Sequence, residues 1–130
     1  MKRQIVTPAA LSAAALAELK QWLGITTAAD DAPLTALLRT ALETCESFTG
    51  AMPLAGECEE ILPLCDGWQA LATRPVQAIT GLFGLPVEGA RFALAADAYA
   101  VELDADGGGR VRVYAPGAAT RIAVRFTAGL

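Results

Sequence analysis

The sequence has 130 residues, 54% of them hydrophobic and 18% charged, with a net charge of −4 and no histidine. This length suits a single domain, and the composition lies far from that of disordered chains, so a packed core is within reach. The acidic balance argues against non-specific nucleic-acid binding, which needs clustered Lys and Arg to release counterions from phosphates.

Residues 1–10 are expected to form an extended N-terminal arm, with Thr7-Pro8 and Ser12 as competing starts for the first helix. The chain start lacks the apolar run of a signal peptide, and no stretch of about 18 uncharged apolar residues follows, so no membrane span is expected. Residues 11–50 then read as a helical hairpin. Leu11, Ala15, Leu19, Trp22 and Leu23 fall at helix spacing, and Gly24 supplies a left-handed stop. Asp30-Asp31 can cap a second helix, with Pro33 in its first turn. In that helix Leu34, Leu37, Leu38, Ala41, Leu42, Cys45 and Phe48 make one stripe, ended by Gly50. Cys45 is thus expected as a buried, structural thiol, and Phe48 as a core side chain.

Beyond Gly50 the period shifts, and residues 51–130 form a β-rich region punctuated by proline and glycine. The expected strands are 58–64, 76–83, 91–94, 99–103, 110–114 and 121–127. Tyr99, Val101 and Leu103, then Val111 and Val113, then Ile122, Val124 and Phe126 alternate as half-buried strands do. A five-residue loop 105–109 would set Asp104 opposite Arg110, Glu102 opposite Arg112, Leu103 opposite Val111 and Val101 opposite Val113. The fold class is therefore α+β. An antiparallel helical pair packs with a small, mostly antiparallel sheet in one compact domain. Much of the apolar fraction is alanine, so the core is expected to be thin, with apolar surface left for neighbours.

Catalytic chemistry has little to work with. Without histidine, acid–base work would fall to carboxylates, lysine, tyrosine or cysteine, and the cluster Glu57, Glu59, Glu60 has no evident second polar group. GxxxxGK[ST], GxGxxG and GxSxG are all absent. Cys45, Cys58 and Cys65 lack the close spacing of zinc ligands, and a reducing compartment is the default. The Asp104-x-Asp106 turn lacks an EF-hand's twelfth-position Glu, since Ala115 stands there. No metal, no cofactor and no enzymatic activity are expected. Arg121 and Arg125 have no obvious acidic partners, which makes them a solvated strand face or a contact surface.

The order of these motifs resembles the head–tail connector (adaptor) proteins of long-tailed phages and gene transfer agents. Leu16, Lys20 and Leu23, then Asp30-Asp31, then Glu46, Phe48, Thr49 and Gly50 match that family's opening helix, acidic turn and alanine-rich helix. Arg74-Pro75-Val76-Gln77-Ala78-Ile79, Tyr99-Ala100-Val101 and Val124-Arg125-Phe126-Thr127-Ala128-Gly129 are similar to its later strands. Relatives with this strand arrangement usually continue past Ala-Gly into helices that dock on the portal, so either this is a short form or a tail follows Leu130.

The resemblance implies a structural subunit of a homo-oligomeric ring, with twelve copies expected, between the portal protein and the stopper or tail. Assembly in the bacterial cytoplasm, a place in the virion neck, and DNA passing through the lumen without sequence-specific binding are implied with it. The residues then expected at subunit or portal contacts are Lys20, Arg39, Glu43, Glu46, Arg121 and Arg125. Rival readings are a stopper or tail-completion protein of the same neck, a non-viral α+β binding domain, and a carboxylate-dependent enzyme.

Overall fold

A computed structural model describes residues 2–9 and 11–130, with only the backbone of Lys2. Strand β1 (Lys2–Thr7) leads into helix α1 (Ala13–Leu23) and helix α2 (Asp31–Thr49). Strands β2 (Gly56–Pro63), β3 (Gln69–Ala70), β4 (Val76–Leu85), β5 (Phe92–Ala93), β6 (Tyr99–Leu103), β7 (Gly109–Val113) and β8 (Arg121–Ala128) follow. Five strands form one sheet in the order β1-β2-β8-β4-β5, and β3-β7-β6 form a second. The pairings described are all antiparallel.

The α+β class stands, and the expected arm gains a role. Six of its residues form β1 and five of them pair along the edge of β2, with Arg3 opposite Glu60 and Ile5 opposite Cys58. Met1 and Ala10, also part of the expected arm, lie outside the described residues. Ser12 is the N-cap of α1, its Oγ accepting from the Ala15 amide at 3.2 Å. Gly24 and Gly50 end the helices at φ 71° and 72°, a region glycine enters without steric cost. Asp30 occupies the N-cap position of α2 but its side chain makes no capping bond.

The core belongs to the strands. Strand β8 lies between β2 and β4, and Ile122, Ala123, Val124, Phe126 and Ala128 on it are almost completely buried. Cys58 and Leu62 from β2 and Leu82 from β4 pack with them, and Leu71 and Val111 bring in the second sheet. The helices contribute little. Leu34 is the one residue of α2 that is fully buried, and α1 has none. The single helical stripe therefore does not pack as expected. Phe48 is 89% exposed and Cys45 is exposed, because no strand face lies across from that side of α2.

The hairpin register also differs. Val101 stands opposite Val111 and Glu102 opposite Arg110, two residues from the expected pairing. A shift of two keeps every side chain on its face, so alternation cannot distinguish the two registers. Glycine contacts favour the observed one. A Cβ at Gly109 would stand 3.0 Å from Val76 Cγ2, and one at Gly107 2.9 Å from Pro75 Cβ. The start of β4 thus lies across the loop, held by the Val76 amide on the Gly107 carbonyl at 2.8 Å. Val101 and Leu103, expected to face inward, are 43% and 46% exposed, Leu103 next to the loop of this hairpin.

Candidate assembly surface

Polar ties fasten α2 to the arm. Arg3 on β1 forms an ion pair with Glu46, with a second bond from Nη2 to Oε2 at 3.2 Å, and reaches Thr73 Oγ1 at 3.3 Å. The bond to Glu46 raises the Arg3 pKa above its ordinary value, so this guanidinium stays charged. Arg39 Nη1 donates to the Ala9 carbonyl at 3.2 Å. Lys20 Nζ joins the helices by donating to Asp31 Oδ1 at 2.8 Å. Lys20, Arg39 and Glu46, three expected contact residues, are therefore engaged within the chain. Glu43 is exposed beside them.

Arg39 and Glu46 border a half-open cavity of 340 Å³ between β1, α2 and the segment after it. Ile5, Pro8, Leu42, Met52 and Leu54 give it apolar walls, and Arg39, Glu43 and Glu46 bring charge to it. Away from this cavity lining, the two helices carry bare apolar side chains. Trp22 is 81% exposed, Phe48 89%, Leu37 61% and Leu23 55%.

The glutamate cluster on β2 is structural, and its partners were missed in the sequence. Glu59 is buried and takes Arg91 Nη1 and Nη2 at 3.0 Å each, with Arg125 Nη2 at 3.1 Å. Glu57 Oε1 lies 3.7 Å from Arg125 Nε. The hydrogen bonds from Arg91, more than those from Arg125, hold the Glu59 carboxyl below its usual range against the opposing effect of burial. Arg91 stacks 4.2 Å above the Phe83 ring, and Arg125 lies 5.5 Å from the same ring. Arg125, expected to lack acidic partners, is thus committed to this network. Gly81 stands opposite Arg125 in the sheet, and a Cβ there would meet the Phe83 ring at 3.8 Å. No local pattern points from Arg91 to Glu59, 32 residues away.

Glu60 is fully buried and accepts the amides of Ala72 and Thr73 at 3.1 Å each. It caps a turn, and a carboxylate suits that task because it offers only acceptors. Asp106 likewise serves its turn, accepting from the Gly108 amide at 3.2 Å and pairing with Arg74, and these bonds lower its pKa. Arg121 is exposed and makes no ion pair among the described residues. Among the described residues, no cluster of three or more His, Cys, Asp and Glu could hold a metal, and no helix is long and apolar enough to cross a membrane. The geometry offers ties, apolar faces and turns.

No protein-family model matches the sequence, and no curated protein is detectably similar to it. Solved structures are informative. Over 99% of its length the chain matches a protein in the neck of an empty gene transfer agent (GTA) particle with C6 symmetry, at a TM-score of 0.73 and 25% identity, covering 71% of that protein. This chain is similar to a GTA neck protein. A component of the native GTA virion is also similar, at a TM-score of 0.69 and 27% identity, with 99% of this chain and 72% of that one covered. The likeness bears out the resemblance read from the motifs. It supports a structural role in a virion neck, in an oligomeric setting of cyclic symmetry.

Proposed function

We propose that this chain is a head–tail connector (adaptor) subunit that forms a ring between the portal and the stopper or tail of a phage-like particle. The observation that carries the reading is the likeness to a GTA neck protein along 99% of the chain. The site geometry agrees with it, because the polar groups serve internal ties while large apolar side chains stand uncovered. A ring of twelve around a DNA passage fits the symmetry of that neck and the acidic subunit. A net charge of −4 repels duplex DNA and keeps the lumen from becoming adhesive. The role is structural, with no catalytic step.

The test is mass measurement and electron microscopy of the purified protein, alone and mixed with portal rings. The expected result is a ring of defined copy number seated on one end of the portal. A compact monomer that ignores the portal under all conditions would contradict the adaptor role. A ring that binds only the tail-side components would favour a stopper or tail-completion protein instead. Tight, salt-sensitive binding of duplex DNA by the ring would refute the repelling lumen.

A further inference from the structure

We infer that copies of this chain pack head to tail through α2, with Phe48 on the bare edge of one helix seated in the neighbour's cavity beside Arg39. The inference rests on the ring reading above and names the surfaces that would build the ring.

The helix itself supplies the argument. At about 100° per residue, the apolar stripe of α2 spans an arc of about 140°. One part of it, Leu34, Leu38 and Leu42, is buried or half-buried, although Cys45 at the same angle nearer the C-terminal end is exposed. The other part, with Leu37, Ala41 and Phe48, stays in solvent. The cavity lies beside Arg39, Leu42, Glu43 and Glu46, centred about 170° around the helix from that bare edge. One side of α2 is therefore convex and apolar, and the far side adjoins an apolar hollow.

Closed cyclic rings need this kind of pair. A head-to-tail contact joins two different surfaces of the same subunit, whereas a two-fold contact joins one surface to itself. The similar GTA neck has C6 symmetry. A volume of 340 Å³ accommodates an aromatic side chain. Arg39 at its wall offers a cation to the face of an incoming Phe48 ring. Phe48 alone would bury about 200 Å² per copy as the anchor of the contact, within the roughly 800 Å² that a stable partner surface needs.

The experiment uses the full chain, with portal rings as template. Phe48→Ser is expected to raise the concentration at which half the protein is in rings by about tenfold or more, with the melting temperature of the monomer unchanged. In a second variant that keeps Phe48, Thr44→Cys, one turn before it, is combined with Leu54→Cys, and with Cys45→Ser and Cys65→Ser to remove the exposed native thiols. Oxidation with diamide should then yield a covalent ladder extending beyond the dimer. Glu43→Cys, at an exposed cavity residue, replaces Leu54→Cys if that variant does not fold. Normal rings from Phe48→Ser together with no ladder would overturn the inference while leaving the ring reading intact. A ladder that stops at the dimer would overturn it too, since it signals the bare edge packing on itself. Wild-type protein that forms no ring even on the portal would defeat the ring reading and this inference with it.

Discussion

Strands β2, β4 and β8 and helices α1 and α2 are similarly rich in apolar residues, yet they spend them differently. On β8 the side chains of Ile122, Val124 and Phe126 are 1% exposed or less, enclosed by neighbouring strands and the second sheet. On α2 the comparable side chains Leu37 and Phe48 are 61% and 89% exposed. The strand body closes its own core, while the helices are held by a few polar ties and leave apolar faces open. Hydrophobicity therefore reports the wish to be buried and leaves open which molecule does the burying. For a subunit similar to a neck protein, a neighbouring copy is the natural answer.

The comparison can be broken or sharpened by substitution. The largest effect is expected for Phe126→Ala, which empties the centre of the core and should cost about 3–5 kcal/mol in denaturant unfolding. Phe48→Ala, a chemically identical change on the open helix, should cost less than about 0.5 kcal/mol in the monomer. Equal losses would erase the distinction between the two regions.

Next comes Glu59→Gln, which leaves the Arg91 and Arg125 guanidinium groups without their shared carboxylate and should cost about 3 kcal/mol near neutral pH. Its pH dependence has a defined sign. The folded pKa of Glu59 is depressed, so its contribution is complete above the ordinary carboxylate value and is lost as pH falls through the folded one. The gap between wild type and Glu59→Gln should therefore be widest above about pH 5 and close below about pH 4. A gap that widens with acid would contradict the ion-pair account. The milder of the two polar changes is Arg39→Ala. It removes one bond to the Ala9 carbonyl and should cost about 1 kcal/mol, read as faster amide exchange along α2 and little change in β8.

Much of the fold was legible in the sequence for local reasons. Ser12, Gly24 and Gly50 mark helix ends through backbone chemistry that needs no partner, and the alternation of Ile122, Val124 and Phe126 follows from strand geometry. What was hidden depends on distance. The arm at Ile5 pairs with Cys58, and Arg91 reaches Glu59, through contacts that leave no periodic trace. The two-residue register change in the β6–β7 hairpin escaped because a period of two is blind to it, and only the contacts of Gly107 and Gly109 decide it. On α2 the stripe was read correctly as apolar, but its width was the neglected signal. Across an arc of about 140° only Leu34 is buried. Lys20, Arg39 and Glu46, expected at contacts with a neighbour, also make ties within the subunit that no local pattern announced.

The central claim is that the strand body is stable by itself, whereas the helices await a neighbour. Hydrogen–deuterium exchange on the isolated subunit and on the portal-bound assembly tests it most directly. The account predicts slow exchange in β2, β4 and β8 in both states. It predicts exchange in α2 that is fast in the subunit and slows at least tenfold on assembly. Helix amides protected as well as β8 in the isolated subunit, or unchanged by assembly, would contradict it.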